Sequence, residues 1–393
     1  MEEPAATVDP RFPVLRHRTF LNHAAVAPIS GPAADVLARY AEHASRHAYL
    51  DWDWYGALQA VRESCARMIG AEGTEGIAFV PNTSTGLGMV AGGLDWRPGD
   101  HVVLTDVEYP ANRYCWHDLK RRGVTVTEVP EGADRRIDVD EVVEAITDRT
   151  RVVAISHAQY STGYRIDLKP IAETVHLAGG YLCVDAIQTV GAMPVDVVAD
   201  GIDFLSADGH KWMLGPEGAG FFYCRPDLCE MLHPPVTGWI GMEDALAYHR
   251  FRFEFRKDAR RFEPGTWNIP GLLALGASLE MLLGEGLDTV WARIEALTAQ
   301  LRSGLRERGY RVVSPNRARE RSGITSFLPP RVEPFGPGLS GVVKGLRERG
   351  IEIAQRAGLL RVSPHFYNTA EQVDGLLEEL EAMGDTAGRE RPG

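Results

Sequence analysis

Short runs of consecutive apolar residues alternate with segments of helical periodicity along the first two thirds of the chain. Strands that are apolar on both faces and separated by helices are typical of a mostly parallel sheet covered on both sides. The pattern therefore predicts an α/β fold built on such a sheet. The predicted strands are residues 76–80, 101–105, 151–155, 181–184, 202–205 and 220–223.

The last third of the chain has a different pattern. Residues 271–283 and 287–308 have the long amphipathic periodicity of helices, and short apolar runs follow around residues 310–313 and 323–327. We interpret this change as a connecting helix that leads into a smaller α/β domain.

These patterns divide the chain into two expected domains. Residues 20–269 form the large domain and residues 270–383 the small one, with the N-terminal arm, residues 1–19, packed on the small domain. The proline- and glycine-rich stretch 331–338 predicts a loop. We expect residues 384–393 to form a disordered tail.

Side chains with useful chemistry occur where the predicted strands end. In chain order they are Thr83, Tyr109, His157, Asp185 and Lys211. Ligands of open α/β sheets bind beyond the carboxyl ends of the strands. We therefore expect these residues to border one binding site.

Lys211 and Asp185 indicate the chemistry of that site. A pyridoxal 5′-phosphate (PLP) enzyme needs a lysine that closes a Schiff base with the cofactor aldehyde. It also needs a carboxylate that keeps the pyridine nitrogen protonated, so that the ring accepts the electrons of a substrate carbanion. Taken alone, Lys211 would more often be a solvated surface lysine. Its combination with Asp185 and Gln188 favours the cofactor site.

Together with the segments below, these residues resemble the class V aminotransferase family of fold-type I PLP enzymes. That family includes cysteine desulfurases, isopenicillin N epimerases and kynureninases, and the resemblance covers residues 20–380. It implies a large domain with a mostly parallel seven-stranded sheet, a smaller C-terminal α/β domain, PLP as cofactor and an amino acid as substrate.

The segment 81–88 is the candidate for the cofactor phosphate. It follows a strand and opens a helix, where hydroxyl groups and unpaired backbone N–H groups meet the positive end of the helix dipole. Thr83 and Ser84 would then contact the phosphate. An ordinary helix N-cap explains the same residues equally well.

Two further phosphate contacts come from the resemblance. His210 matches a histidine that contacts the phosphate in desulfurases. Asp208 occupies a place where those enzymes often carry a hydroxyl residue, and a carboxylate there would repel phosphate. Ser206 is the candidate that replaces the hydroxyl.

The resemblance also assigns the contacts to the cofactor ring. Tyr109 aligns with a histidine that stacks on the ring, and its aromatic face suits that role, although a phenol with a pKa near 10 cannot shuttle protons at neutral pH. A core or interface tyrosine is the alternative. Gln159 is the candidate contact to the 3′-oxygen, with Tyr160 as its competitor, and Gln188 would share that role.

The segment 263–268 bears on the oligomeric state. It resembles a segment that crosses a dimer interface in this family and gives its threonine, here Thr266, to the partner's cofactor phosphate. The resemblance thus implies a homodimer. A simple turn built from Pro264 and Gly265 is the alternative.

Three residues are candidates for substrate binding. Arg361 aligns with the arginine that holds the α-carboxylate of an amino acid, through a bidentate fork that lysine cannot reproduce. Arg356 matches a second arginine of the family, and solvated surface arginines are the alternative for both. His23 lies in a turn that resembles the substrate-lining turn, where it either contacts substrate or has a structural role.

The spacing of the two arginines limits the reaction. Desulfurases insert a loop with a nucleophilic cysteine between them, whereas here only residues 357–360 intervene and none is cysteine. Desulfuration through a persulfide on that loop is therefore not expected. The chemistry that remains starts with removal of the Cα proton by Lys211. An aminotransferase or a Cβ (C–S) lyase is the first expectation, and an amino-acid epimerase or racemase is the alternative.

Two readings from other classes are weaker. A nicotinamide-dependent dehydrogenase needs a Gly-x-Gly-x-x-Gly run, and the run that begins at Gly86 lacks the third glycine. A non-catalytic PLP-binding regulator is possible in principle, but no DNA-binding module flanks the domain.

Composition narrows the remaining choices. The 393 residues are 44% hydrophobic and 24% charged, which suits a two-domain enzyme, and the net charge of −12 argues against nucleic acid as a partner. No apolar stretch reaches the roughly 18 residues that span a membrane, and the N-terminus lacks signal-peptide features, so we expect a cytoplasmic protein without a membrane partner. The five cysteines show no zinc-ligand spacing, so no metal site is predicted.

Overall fold

The structure, a computed structural model, describes residues 9–389. The strands are β1 (Thr19–Phe20), β2 (Ile77–Val80), β3 (His101–Thr105), β4 (Thr125–Val129), β5 (Thr150–Ser156), β6 (Tyr181–Asp185), β7 (Phe204–Asp208), β8 (Gly220–Cys224), β9 (Arg311–Val312), β10 (Thr325–Leu328), β11 (Ile351–Glu352), β12 (Ala354–Arg356) and β13 (Leu359–Val362). The α-helices are α1 (Gly31–His47), α2 (Trp54–Met68), α3 (Thr83–Gly93), α4 (Ala111–Asp118), α5 (Val139–Glu144), α6 (Lys169–Leu177), α7 (Ile269–Glu285), α8 (Leu287–Glu307), α9 (Leu339–Glu348) and α10 (Ala370–Arg389).

A seven-stranded sheet forms the centre of the larger part of the chain. Its strand order is β2-β8-β7-β6-β5-β3-β4; β8 runs antiparallel to both neighbours and the other pairs are parallel. The interior strands are buried along their whole length, except for the partly exposed Arg151 and Tyr181, as expected for a sheet covered on both faces. The prediction of a mostly parallel seven-stranded sheet is confirmed.

Two details of the sheet differ from the sequence prediction. The strand predicted at 202–205 begins at Phe204 and continues to Asp208, because its pairing with β6 starts only at Cys183↔Phe204. Strand β4 was not predicted: it is an edge strand with alternating exposure, in which Thr125 and Thr127 are exposed and Glu128 is partly exposed on the other face.

Helices cover the sheet on both faces. Side chains of α2, α6 and α7 pack in one large hydrophobic cluster, and those of α3 and α4 pack in a second cluster on the opposite side. Helix α7 is apolar on most of its circumference and is correspondingly buried. Within residues 9–389 no single helix is long and apolar enough to cross a membrane, and α7 with α8 meet that criterion only as a pair bent by 81°.

The C-terminal part has a second core around the antiparallel sheet β12-β13-β10-β9. Strand β1 pairs in parallel with β11, and the Phe12 ring stacks on Tyr367 at 4.0 Å. The predicted N-terminal arm therefore contacts this part from residue 12 onward, while residues 1–8 lie outside the described residues. The domain boundary itself stays a prediction.

The end of the chain requires a correction. Helix α10 continues to Arg389, so residues 384–389 are helical where we predicted disorder. The buried side chains of Val373, Leu376 and Leu380 anchor the first turns of this helix on the second core, from which it extends. Residues 390–393 lie outside the described residues.

Candidate active site

The carboxyl ends of the parallel strands meet at one edge of the large sheet and border a cavity of about 230 Å³. The predicted site residues on its wall are Thr83, Ser84, Tyr109, Asp185, Gln188, His210, Lys211, Arg356 and Arg361. Five predicted residues do not line it: His23, His157, Gln159, Ser206 and Thr266.

Lys211 lies in a tight turn just beyond β7. The turn is closed by hydrogen bonds from Leu214 N to Lys211 O and from Gly215 N to Gly209 O. Gly209 is required there, because a Cβ atom at this position would lie 2.5 Å from the backbone oxygen of Ala219. The turn fixes the lysine at the cavity wall.

Asp185 is the last residue of β6 and is paired in register with Ser206 of β7, so its carboxylate lies at the same sheet edge as Lys211. It accepts a hydrogen bond from Ile187 N at 3.1 Å. Burial raises the pKa of Asp185 above its ordinary value. Burial also lowers the pKa of Lys211, although the negative charge of Asp185 acts in the opposite direction.

Helix α3 opens toward the cavity at its N-terminus. Asn82 caps it by accepting a hydrogen bond from Thr85 N at 2.9 Å. The hydroxyl of Thr83 is buried and has no hydrogen-bond partner. An unsatisfied hydroxyl group at a helix N-terminus is what an anionic group such as a phosphate would satisfy.

Ser206 lies beneath this helix rather than on the cavity wall, which corrects the proposed phosphate contact. Its Oγ donates to the backbone oxygen of Thr83 at 3.2 Å. A Cβ atom on Gly86 would lie only 2.2 Å from the same Oγ. Ser206 therefore supports the first turn of α3, and its side chain fills the space beside Gly86, which has no Cβ atom.

Asp208 and His210 face the cavity as a pair. The distance between Asp208 Oδ2 and His210 Nδ1 is 2.9 Å, although the ring N–H is not aligned for a hydrogen bond, and Asp208 Oδ1 has no partner. A carboxylate close to the expected phosphate is thus accompanied by an imidazole whose Nδ1 also lacks a hydrogen-bond partner.

Two tyrosines border the opening of the cavity. Tyr109 is 46% exposed, and its ring centroid is 5.6 Å from Lys211 Nζ. Tyr160 meets it edge to face, with 5.2 Å between the ring centroids. Tyr109 therefore presents an aromatic surface close to the lysine amine, as a stacking partner of a cofactor ring must.

The two glutamines have different environments. Gln188 lines the cavity, donates from Nε2 to Ala24 O at 3.1 Å and accepts from Trp212 Nε1 at 2.9 Å. Gln159 is turned away, and its Nε2 donates to Glu108 Oε1 at 3.2 Å. Of the two candidates for the 3′-oxygen contact, Tyr160 and not Gln159 lines the cavity.

Sequence reasoning missed Glu108, which is 3% exposed. It accepts hydrogen bonds from Thr105 Oγ1 at 2.9 Å, from Asn112 Nδ2 at 2.9 Å and from Ser156 N at 3.0 Å. Glu108 thereby joins the ends of β3 and β5 to α4 and holds the loop that carries Tyr109. The available signal was an acidic residue three positions after an apolar strand and directly before Tyr109.

Arg361 presents free donors to the cavity. It is 1% exposed, and its Nη1 donates to Tyr160 O at 2.7 Å, whereas Nε and Nη2 have no partner. Burial, together with the positive charge of Arg356, lowers the pKa of Arg361 to about 9. Arg356 is exposed and donates from Nη1 to the backbone oxygen of Gln355. A buried guanidinium with free donors fits an anionic ligand.

His23 has a structural role in this arrangement. Its ring is fully buried, with Nδ1 2.8 Å from Ser363 O and Nε2 2.5 Å from Tyr367 Oη. Burial lowers its pKa well below the ordinary value, so the ring stays neutral. Ala24 and Ala25, its neighbours, line the cavity instead.

Thr266 is exposed and lines a separate cavity of about 290 Å³ formed by residues 263–268 and neighbouring strands. Within one chain it does not reach the site at the sheet edge.

The cavity wall as a whole fits PLP. It combines an amine on a rigid turn, a buried carboxylate, an aromatic surface and a helix N-terminus with an unsatisfied hydroxyl group. These groups would hold the aldehyde carbon, the ring nitrogen, the ring face and the phosphate, respectively. The unpartnered donors of Arg361 remain for the substrate.

Comparison with known proteins agrees with this geometry. The family model for aminotransferase class-V matches residues 20–376. A probable cysteine desulfurase from Methanothermobacter thermautotrophicus is 31% identical over 95% of this chain and 97% of its own length. An isopenicillin N epimerase from Amycolatopsis lactamdurans is 31% identical over 93% and 95%, respectively.

A solved structure shows the same architecture. The apo cysteine desulfurase from Thermococcus onnurineus superposes with a TM-score of 0.84 at 25% identity and covers 98% of this chain and 99% of its own. The chain therefore belongs to the class V aminotransferase family and is a PLP-dependent enzyme that acts on amino acids.

Proposed function

We propose that the enzyme binds the α-carboxylate of an amino acid at Arg361, removes the Cα proton with Lys211, and completes the reaction by eliminating a sulfur group from Cβ. One observation carries this proposal: the amine of Lys211 and the free Nε and Nη2 of Arg361 border the same cavity. PLP, when bound, withdraws electrons from Cα.

Lys211 suits the role of proton acceptor. Burial lowers its pKa, and the positive charges of Arg361 and Arg356 act in the same direction. A general base works best when its pKa lies near the working pH. The lysine environment therefore favours the neutral amine that accepts a proton.

Elimination is favoured over transfer of sulfur to a protein thiol. None of the five cysteines lines the cavity, and Cys65, Cys183, Cys224 and Cys229 are buried. Burial raises the pKa of Cys115, the remaining one, to about 12, which disfavours the thiolate that attacks sulfur. The relative named probable cysteine desulfurase suggests a sulfur-containing amino acid as substrate. Without a protein thiol to accept it, the sulfur would be released as sulfide or as a small thiol.

Epimerisation is the second candidate, since a relative is named isopenicillin N epimerase. Inversion at Cα needs a proton donor on the face opposite Lys211. The hydroxyl group of Tyr160, which also lines the cavity, is the candidate donor, since Tyr109 is assigned to stacking on the cofactor ring. Transamination needs only Lys211 and is the third possibility.

A product panel distinguishes these reactions. The holoenzyme is incubated in D₂O with L-cysteine, L-cystine, S-substituted L-cysteines and other amino acids, and pyruvate with a thiol or sulfide, other keto acids, and inverted amino acid are measured. We expect pyruvate together with a sulfur product, undiminished in Cys115→Ala. Inverted amino acid without pyruvate would establish the second candidate instead, and loss of elimination in Cys115→Ala would contradict the thiol-free route.

We also propose that the active unit is a homodimer in which Thr266 of each chain contributes to the partner's site. Thr266 is exposed and stands outside its own chain's active-site cavity. Large apolar side chains are exposed nearby in sequence, with Tyr248 77% and Phe251 93% exposed. Such side chains are typical of protein interfaces.

A further inference from the structure

Two guanidinium groups border the active-site cavity, and only one anion has been assigned to them. Arg361 is buried with free Nε and Nη2, while the one hydrogen bond that Arg356 makes is to a neighbouring backbone oxygen. Among the described residues, no carboxylate forms a salt bridge with either group.

The β-hairpin β12–β13 fixes both arginines on one face. Its register pairs Arg356 with Leu359 and Ala354 with Arg361. Directly opposed residues of an antiparallel pair point to the same side, and diagonal neighbours remain within reach of long side chains. Arg356 and Arg361 are such diagonal neighbours, and the small side chain of Ala354 leaves room beside Arg361.

The turn of this hairpin makes the arrangement rigid. Ala357 and Gly358 form a two-residue turn with φ of 47° and 76°, the geometry that fixes hairpin register. A Cβ atom on Gly358 would lie 2.6 Å from Phe335 N, so the turn is also held against the preceding loop. Arg356 is therefore placed beside the cavity by the fold.

The charges of the bound state leave Arg356 without a partner. With cofactor and substrate bound, Asp185 would pair with the pyridine nitrogen, the N-terminus of α3 would hold the phosphate, and Arg361 would hold the α-carboxylate. An unpaired positive charge beside another one is unfavourable, and a second anion removes that repulsion.

We propose that the preferred substrates carry a second negative charge in the side chain, which binds Arg356. This inference rests on the proposed function for the assignment of Arg361 to the α-carboxylate. It narrows the substrate class to amino acids with a distal carboxylate or a similar anionic group.

Binding of dicarboxylates that lack an amine tests the two-anion site without any reaction. The holoenzyme is titrated calorimetrically with succinate, glutarate and adipate, and with the monoamide of each, which has the same shape and one charge fewer. We expect at least one diacid to bind about fivefold or more tightly than its monoamide, the scale of one partly exposed ion pair.

Variants assign the effect to Arg356. In Arg356→Gln the ratio of the monoamide Kd to the diacid Kd should fall toward one, and Arg356→Lys should keep part of the wild-type ratio. Arg331→Gln, a change at an exposed arginine outside the cavity, should keep the wild-type ratio. Equal binding of every diacid and its monoamide in the wild type, or an unchanged preference in Arg356→Gln, would overturn the proposal.

Substrate pairs extend the test to the reaction. S-carboxymethyl-L-cysteine and S-carbamoylmethyl-L-cysteine differ in one charge, and the acid should have the higher kcat/KM by about fivefold or more, through KM. A diacid preference without turnover of any amino acid would contradict the proposed function but support the second anion site. Turnover of both substrates with equal KM would support the proposed function but contradict the second anion site.

Discussion

The guanidinium of Arg361 donates a hydrogen bond of 2.7 Å to the backbone oxygen of Tyr160. This bond crosses from the small sheet to the loop after β5 and orients the arginine, while Nε and Nη2 stay free. One buried hydrogen bond therefore connects Arg361, the proposed substrate anchor, to the wall that carries the two tyrosines.

Replacement of this anchor should weaken carboxylate binding. Arg361→Lys loses the bidentate fork in a buried site, at a cost of about 2–5 kcal/mol, and the apparent KM for amino acids should rise accordingly. The visible spectrum of the resting holoenzyme should not change. Titration with an amino acid measures the effect, with Arg331→Lys as control. An unaltered affinity for the amino acid would mean that Arg356, and not Arg361, binds the α-carboxylate.

The pH dependence of cofactor capture follows from the pKa of Lys211. Only the neutral amine reacts with the PLP aldehyde, and burial lowers the pKa of Lys211 from 10.5, so capture by the apoenzyme should reach half its maximum well below pH 10.5. Arg361→Gln removes a positive charge that lowers this pKa, so the midpoint should rise. Stopped-flow absorbance measures the rate, and a midpoint near 10.5 in the wild type would contradict the buried environment.

The packing of Ser206 against Gly86 predicts a steric effect. Gly86→Ala should destabilise the protein by about 1–3 kcal/mol and weaken PLP binding, since the new Cβ has no space. Ser206→Gly in the same chain should restore part of both. Gly88→Ala is the matched control, because nothing lies within 4 Å of its Cβ position and alanine favours a helix. Denaturant unfolding and PLP titration provide the measurements, and equal stabilities of the two alanine variants would refute the contact.

The proposed dimer predicts complementation between inactive variants. If each site takes Lys211 from one chain and Thr266 from the other, hybrids of Lys211→Ala and Thr266→Ala chains contain one intact site. Mixing the two under verified subunit exchange should restore activity up to about one quarter of the wild type. No recovery would place Thr266 outside the partner's site.

Most strands of the large sheet could be predicted, because a buried strand is marked by a run of apolar residues that are adjacent in the sequence. The same runs place Asp185 and Lys211 at strand ends, where parallel topology brings them together. The edge strand Thr125–Val129 was missed because it is half polar, and local pattern alone does not separate it from a loop.

The orientation of individual side chains could not be predicted. Ser206 and Asp208 lie two apart on one strand, yet only Asp208 reaches the cavity, because Ser206 lies beneath α3. The side chain of Gln159 donates a hydrogen bond to the buried Glu108, and His23 Nδ1 contacts the backbone oxygen of Ser363. Both partners lie far from these residues in the sequence. Such placements depend on tertiary partners that no local motif specifies.

Exchange of the substrate Cα proton tests the central claim most directly. Holoenzyme is incubated in D₂O with an amino acid, and deuterium at Cα is measured by mass spectrometry for the wild type and for Lys211→Ala loaded with PLP. We predict exchange by the wild type and a rate lower by about 10²–10⁴-fold in the variant. Exchange by PLP-loaded Lys211→Ala at the wild-type rate would contradict the account.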